Sequence, residues 1–240
     1  MVYKIPARPT PVPAALPPSV ITLEKASFFP RVYGWMALGL LVSAVASFAL
    51  LSSPAAMKFV FGSKVVYFGL ILGELGLVFY LSSRVMSMSP AMARGTFLAF
   101  AGLNGVTLAS IFLVYTAGSI ASTFMVSAAT FGAMSAYGMA TKRDLTGFGS
   151  FVVMGLFGVV IASVVNIFLQ SEAVYWITTY IGVLVFVGLS AYDTWKLKRM
   201  AETPGYGEAL ANLSILGALT LYLDFVNLFL MLLRLQGRRE

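Results

Sequence analysis

Chain breakers divide this sequence into seven apolar runs, each about as long as a bilayer is thick. The runs cover roughly 32–53, 64–83, 95–115, 119–140, 148–170, 173–195 and 211–235. A helix needs about 20 apolar residues to cross the hydrocarbon core. Pro54, Ser89-Pro90, Gly118, residues 141–146 and Pro204-Gly205 separate them, and such residues end helices. In lipid the backbone must satisfy its own polar groups, so each run is expected to be a helix. The expected fold is an all-α membrane protein, a bundle of seven transmembrane helices. Short connections make consecutive helices antiparallel. Only 10% of the residues are charged and 59% are hydrophobic, against about 25% charged in soluble domains.

Residues 1–30 hold seven of the ten prolines and are expected to form a disordered cytoplasmic tail ahead of a transmembrane domain at 31–240. The chain has no Cys and no His, which excludes disulfides, thiolate nucleophiles and imidazole-based zinc or acid–base chemistry. The net charge of +7 comes from cations scattered between apolar runs, so it points to anchoring beside lipid headgroups and not to nucleic acid.

Those cations also suggest an orientation. With the N-terminus inside, 11 Lys and Arg lie on the cytoplasmic side and 5 outside, as the positive-inside rule prefers. A last segment that entered and returned as a hairpin would change the count to 14 and 2. Against the hairpin, residues 211–235 contain no proline and a single off-centre glycine, Gly217. Trp35, Trp176 and Trp195 lie near segment ends, as interfacial aromatics do. Small residues at Ala128, Gly132, Ser135/Ala136 and Ala140, and at Gly158 and Ala162, follow the spacing that lets membrane helices approach closely.

Few ionisable residues fall outside the connections. Asp224 lies deep in the last run, in LTLYLDFVNLFL, where an ionised Asp costs roughly 2.5–3.5 kcal/mol. Thr220, Asp224, Asn227 and Arg234 share nearly one stripe of that helix, which is expected to face the bundle interior or a watery cavity. Asp193 closes the sixth run and is readable either as a site or as an interfacial acid paired with Lys196 three residues on. Glu74 sits between Gly73 and Gly76, either as a functional acid or as a structural hydrogen-bonding group. Arg84 ends the second run, where snorkelling to the headgroups is the plain reading.

The segments SSRVMSMSP, LNGVTLASIFLVYT, STFMVSAATFGAMSAYGMATKRDLTGFGSF, VNIFL, GLSAYDTWKLKRM and LTLYLDFVNLFLMLLR occur in that order. Together they resemble the Bax inhibitor family (the transmembrane Bax inhibitor motif family) in its bacterial form, over nearly all of the chain after the tail. The resemblance implies that the last helix is surrounded by the other six. It also implies a pH-sensitive, calcium-permeable leak, with a multi-pass protein of the bacterial inner membrane as its setting. Asp193 in AYDT and Asp224 in YLDF would form the sensor pair and a weak calcium contact. Arg84 in SSRV would engage that pair, with Glu74, Thr220 and Asn227 as accessory polar groups. No catalytic residue and no cofactor is implied; calcium and protons are what the protein would handle.

Physical chemistry suits such a pair. Two close carboxylates in a low-dielectric site do not easily both ionise, so they are expected to share a proton. Calcium takes six to eight oxygen ligands, so two aspartates hold it loosely, as conduction requires. For the two to meet, the last helix has to begin well below the membrane, with residues 209–218 partly cytoplasmic. Two other functions compete. An intramembrane aspartyl protease also uses two aspartates, but the glycine expected two residues before the second one is replaced here by Tyr222. A regulator that binds another membrane protein would use the Pro-rich tail as its handle.

Overall fold

A computed structural model describes residues 18–202 and 208–239. Eight helices follow in order: α1 (Pro18–Leu51), α2 (Pro54–Phe61), α3 (Lys64–Arg84), α4 (Pro90–Leu108), α5 (Ala117–Ala140), α6 (Thr146–Leu169), α7 (Glu172–Glu202) and α8 (Glu208–Gln236). All except α2 are long and apolar enough to cross a membrane. The chain is a multi-pass, all-α membrane protein.

Local chemistry sets the helix starts. Ser53, Ser63, Ser89 and Thr116 are extended residues whose hydroxyls accept from the backbone N–H three residues on, capping α2, α3, α4 and α5. Proline occupies the first turn of α2 and of α4, where its missing N–H is not needed. Before α6, Asp144 Oδ1 accepts from Thr146 N at 2.8 Å and Thr146 Oγ1 at 2.6 Å. These two bonds hold the Asp144 carboxyl below its ordinary value.

Three expectations are corrected. The expected tail, residues 1–30, lies partly outside the described residues, but from Pro18 onward the chain is helical, with Pro30 inside α1. Residue 30 is therefore not a boundary. The breaker at Pro54 does not simply separate two spans, since it begins the short helix α2, which lies between them. The stripe of small residues on α5 is only partly used: Gly132, Ala136 and Ala140 are exposed, Ala128 is half-buried, and of its members only Ser135 belongs to the buried face of Thr123, Ser127, Phe131, Ser135 and Gly138. Gly158 is exposed too, with nothing within 4 Å of where its Cβ would stand. Close helix contact is made instead at Gly138, whose missing Cβ would strike the Ala191 carbonyl on α7, and at Gly105, against the Ser43 backbone on α1.

The last segment does not fold back, since α8 is one unbroken helix of 29 residues. It is also the central element. Of its most apolar stretch, 67% is buried inside the bundle, against 11–44% for the other six spans. It packs on α1, α4, α5 and α7. The outward surfaces of α3 and α6 are apolar and exposed, as at Leu72 (68%) and Phe168 (83%), which suits lipid contact.

Candidate functional site

The antiparallel register of α7 and α8 places the acids. Gly182 of α7 meets Met231 of α8 towards one end, and Leu197 meets Gly217 towards the other. Between these contacts Asp193 comes opposite Asp224, and their carboxyl groups lie within hydrogen-bonding reach. A carboxylate only accepts hydrogen bonds, so a hydrogen bond between the two acids needs a proton on one of them.

The geometry depends on an overlong last helix. At 29 residues, α8 spans about 43 Å, well beyond the roughly 30 Å of hydrocarbon. Its first turns are the part in excess of that thickness and are covered by protein: Leu210, Asn212, Leu213, Ser214 and Ile215 are buried, and Asn212 Nδ2 donates to the Met88 carbonyl at 2.7 Å. That shift carries Asp224 down to the level of Asp193.

Asp224 is buried, and its Oδ2 has no hydrogen-bond partner among the described residues. Asp193 is half-buried and turned to Asp224, while Lys196 is exposed and forms no ion pair with it. The plain reading of Asp193 as an acid paired with Lys196 is therefore not what the structure shows. Trp195 is another departure, because it is buried at 8% exposure and stacks on Tyr192, where an interfacial position was expected.

The remaining candidates are spread out. Arg84 is not brought to the pair. It stands exposed at the end of α3 without a side-chain hydrogen bond or ion pair to a described residue. In the turn that follows, Val85 and Met88 fill the inward positions, at 1% and 8% exposure, which leaves Arg84 outward. Thr220 and Asn227 are half-buried and bond back to their own helix, at Leu216 O (3.0 Å) and Leu223 O (2.8 Å).

Glu74 belongs to a second polar centre. Its carboxylate accepts from Asn104 Nδ2 at 2.9 Å and Thr107 Oγ1 at 2.6 Å. Asn104 Oδ1 in turn accepts from the Tyr222 hydroxyl at 2.8 Å, and Tyr222 and Ser43 hydroxyls bond at 2.7 Å. Ser43 Oγ also lies 2.7 Å from Ala101 O, so its single proton serves either that carbonyl or the tyrosine. The chain of bonds thus joins α1, α3, α4 and α8. Sequence reasoning missed Asn104, Thr107, Tyr222 and Ser43 as members of this centre. The available signal was the i, i+3 spacing of Asn104 and Thr107, which puts both on one face of α4.

No group of three or more Asp, Glu, His or Cys able to hold a metal ion occurs among the described residues. What the acid pair can do is hold a proton between two oxygens and become repulsive when that proton leaves.

The family described as "Inhibitor of apoptosis-promoting Bax1" matches residues 25–240. The chain is 53% identical over 216 residues to the inner membrane protein YbhL of Escherichia coli K12, covering 89% of this chain and 92% of that one. It is 44% identical over 212 residues to RP147 of Rickettsia prowazekii, covering 88% and 89%. With a protein of Borreliella burgdorferi the identity is 40% over 219 residues, covering 91% and 94%.

Proposed function

This chain belongs to the Bax inhibitor family, and from that premise we propose that it is a proton-controlled, calcium-permeable leak of the bacterial inner membrane, with its N-terminus in the cytoplasm. The observation that carries this reading is the contact between Asp193 and Asp224 across α7 and the central helix α8. One proton holds the two acids together. Its loss leaves two negative charges at close range in a poorly solvated place, where repulsion is strong. Because α8 is the most buried span and packs on α1, α4, α5 and α7, a push at Asp224 acts on the middle of the bundle.

The sign follows from the chemistry. In this reading the conformation with the acids in contact and Asp224 sealed corresponds to the protonated, shut form. Rising pH separates the pair and opens the leak. Calcium passing the ionised pair would take carbonyl and water oxygens as well, since two carboxylates do not complete its shell. Arg84 stands outside the contact in the shut form, and its proposed role is to bridge the ionised pair in the open one. No chemical reaction is assigned to the two acids.

Calcium entry into liposomes across a pH series tests this reading. Flux through the unmodified protein is expected to rise with pH. Asp224→Asn and Asp193→Asn keep the side-chain volume but remove ionisation, so each is expected to flatten the response. A pH response unchanged in both variants would falsify the sensor assignment.

A further inference from the structure

Arg234 is a charge with no counterpart in the described protein. It lies ten residues beyond Asp224, about 15 Å further along α8, near the end of the apolar span Ala209–Gln236. It is half-buried, it sits 5.8 Å from the Tyr175 ring centre, and it forms no ion pair with a described carboxylate. A guanidinium at that depth calls for water or an anion.

Two adjoining cavities share this arginine, together with Asn166 and Tyr175. One, of about 500 Å³, reaches Gly237 and Arg239 after α8 and is also lined by Glu172. The other, of about 360 Å³, runs along α6 to Val164 and Ile167, which are 50% and 67% exposed on the lipid-facing surface. The cleft is thus cationic at one end and apolar at the other.

Its polar lining is arranged to donate. Asn166 Oδ1 already accepts from Ser171 N at 2.9 Å, so Nδ2 is the part of that amide without a described partner. Arg239 Nη2 donates to the Tyr175 hydroxyl at 3.2 Å and the guanidinium also bonds Tyr115, which leaves the remaining N–H groups of its five. Arg239 is held in place from the other side, with Tyr115 6.0 Å away in ring contact and Thr116 N bonded to Arg238 O at 3.1 Å. Glu172 is the acid on the rim. It is exposed and accepts from Trp176 Nε1 at 3.5 Å, out of ion-pair range of either arginine.

We propose that this cleft binds an anionic phospholipid, with the phosphodiester on Arg234 and Arg239 and an acyl chain along the outer surface of α6. Arginine suits phosphate because its planar fork gives two parallel bonds. Inorganic phosphate offers the same anion. The lipid is the source because the second cavity opens onto the apolar surface, and because Tyr175 and Trp176 mark the level at which headgroups lie.

The test uses the full-length protein in a neutral detergent. Phosphatidylglycerol, phosphatidylcholine, diacylglycerol and inorganic phosphate are each added, thermal unfolding is followed, and retained lipid is counted by native mass spectrometry. Phosphatidylglycerol is expected to raise the melting temperature and stay bound, while diacylglycerol and inorganic phosphate do neither. Replacing both Arg234→Gln and Arg239→Gln should weaken retention by roughly tenfold; Arg143→Gln, at the opposite end of the bundle, should not. The proposal fails if diacylglycerol or phosphatidylcholine is retained equally, if the double variant retains lipid normally, or if inorganic phosphate alone gives the shift. Should the double variant not fold, the lipid series on the unsubstituted protein decides. None of these readouts involves ion flux, so the leak reading stands or falls separately.

Discussion

Tyr222 and Asp224 are two residues apart on α8 and so point about 200° apart around its axis. One faces α1 and α4, the other faces α7, and the central helix therefore has a buried polar centre on each side. The tyrosine is held by its ring, edge-on to Phe97 and Phe100 at 6.1 and 5.5 Å, and by its hydroxyl between Ser43 and Asn104. Tyr222→Phe keeps the ring packing but leaves Asn104 Oδ1 without its donor. Such a loss costs about 1–3 kcal/mol, so thermal unfolding of the variant in detergent should fall by several degrees. A melting curve identical to that of the unmodified protein would mean the hydroxyl is not part of a stabilising network. At this scale the two aspartates were legible because an acid in an apolar run stands out by cost alone. Asn104, Thr107 and Tyr222 carry no charge, are common in membrane helices, and acquire meaning only from each other. Arg84 was legible as a cation, but its direction depends on the turn after α3, which no spacing rule gives.

Helix existence was the most readable property of the elements, because length and apolarity in lipid leave a run no alternative. The lipid-facing and protein-facing sides were not readable from small residues. Small-xxx-small spacing arises wherever Ala, Gly and Ser are frequent, and only the partner helix decides which copy is used. On α5 the chosen glycine is Gly138, against Ala191 and Thr194 of α7, and not Gly132. The two glycines make a matched pair of tests. Gly138→Ala forces α5 away from α7, and overpacking of this kind costs about 1–3 kcal/mol, so unfolding should occur several degrees lower. Gly132→Ala has open space around it and gains helix propensity, so its melting temperature should be unchanged or higher. The reverse order would show that the α5–α7 contact is misplaced. The length of α8 was inferable for a different reason. Two acids that must meet, one near a segment end and one in mid-segment, require the later helix to start early, and α8 does begin at Glu208.

For the molecule as a whole, the seven crossings divide the connections into two sets. Ser87, Lys142, the end of α7 and the start of α8 lie at one end. Helix α2, the α6–α7 turn and the chain end after α8 lie at the other. The continuity of α8 puts Arg234, Arg238 and Arg239 at the α2 end with Lys58 and Lys64, so among the described residues that end carries 5 cations and the other carries 9. Short connections rich in Lys and Arg stay in the cytoplasm, and the proposed orientation puts the Ser87 end there. The three arginines clustered at the α8 end work against this bias, and an anionic headgroup in the Arg234 cleft would neutralise part of them. Because the chain has no cysteine, single introduced thiols can report the arrangement without background. Ser87 and Ala55 are both exposed and uncharged, so replacing either leaves the charge balance untouched. In intact cells a membrane-impermeant maleimide should label Ala55→Cys at once and Ser87→Cys only after lysis. Labelling in the opposite order would place the N-terminus outside, and the direction of any proton signal reaching Asp193 would then be reversed.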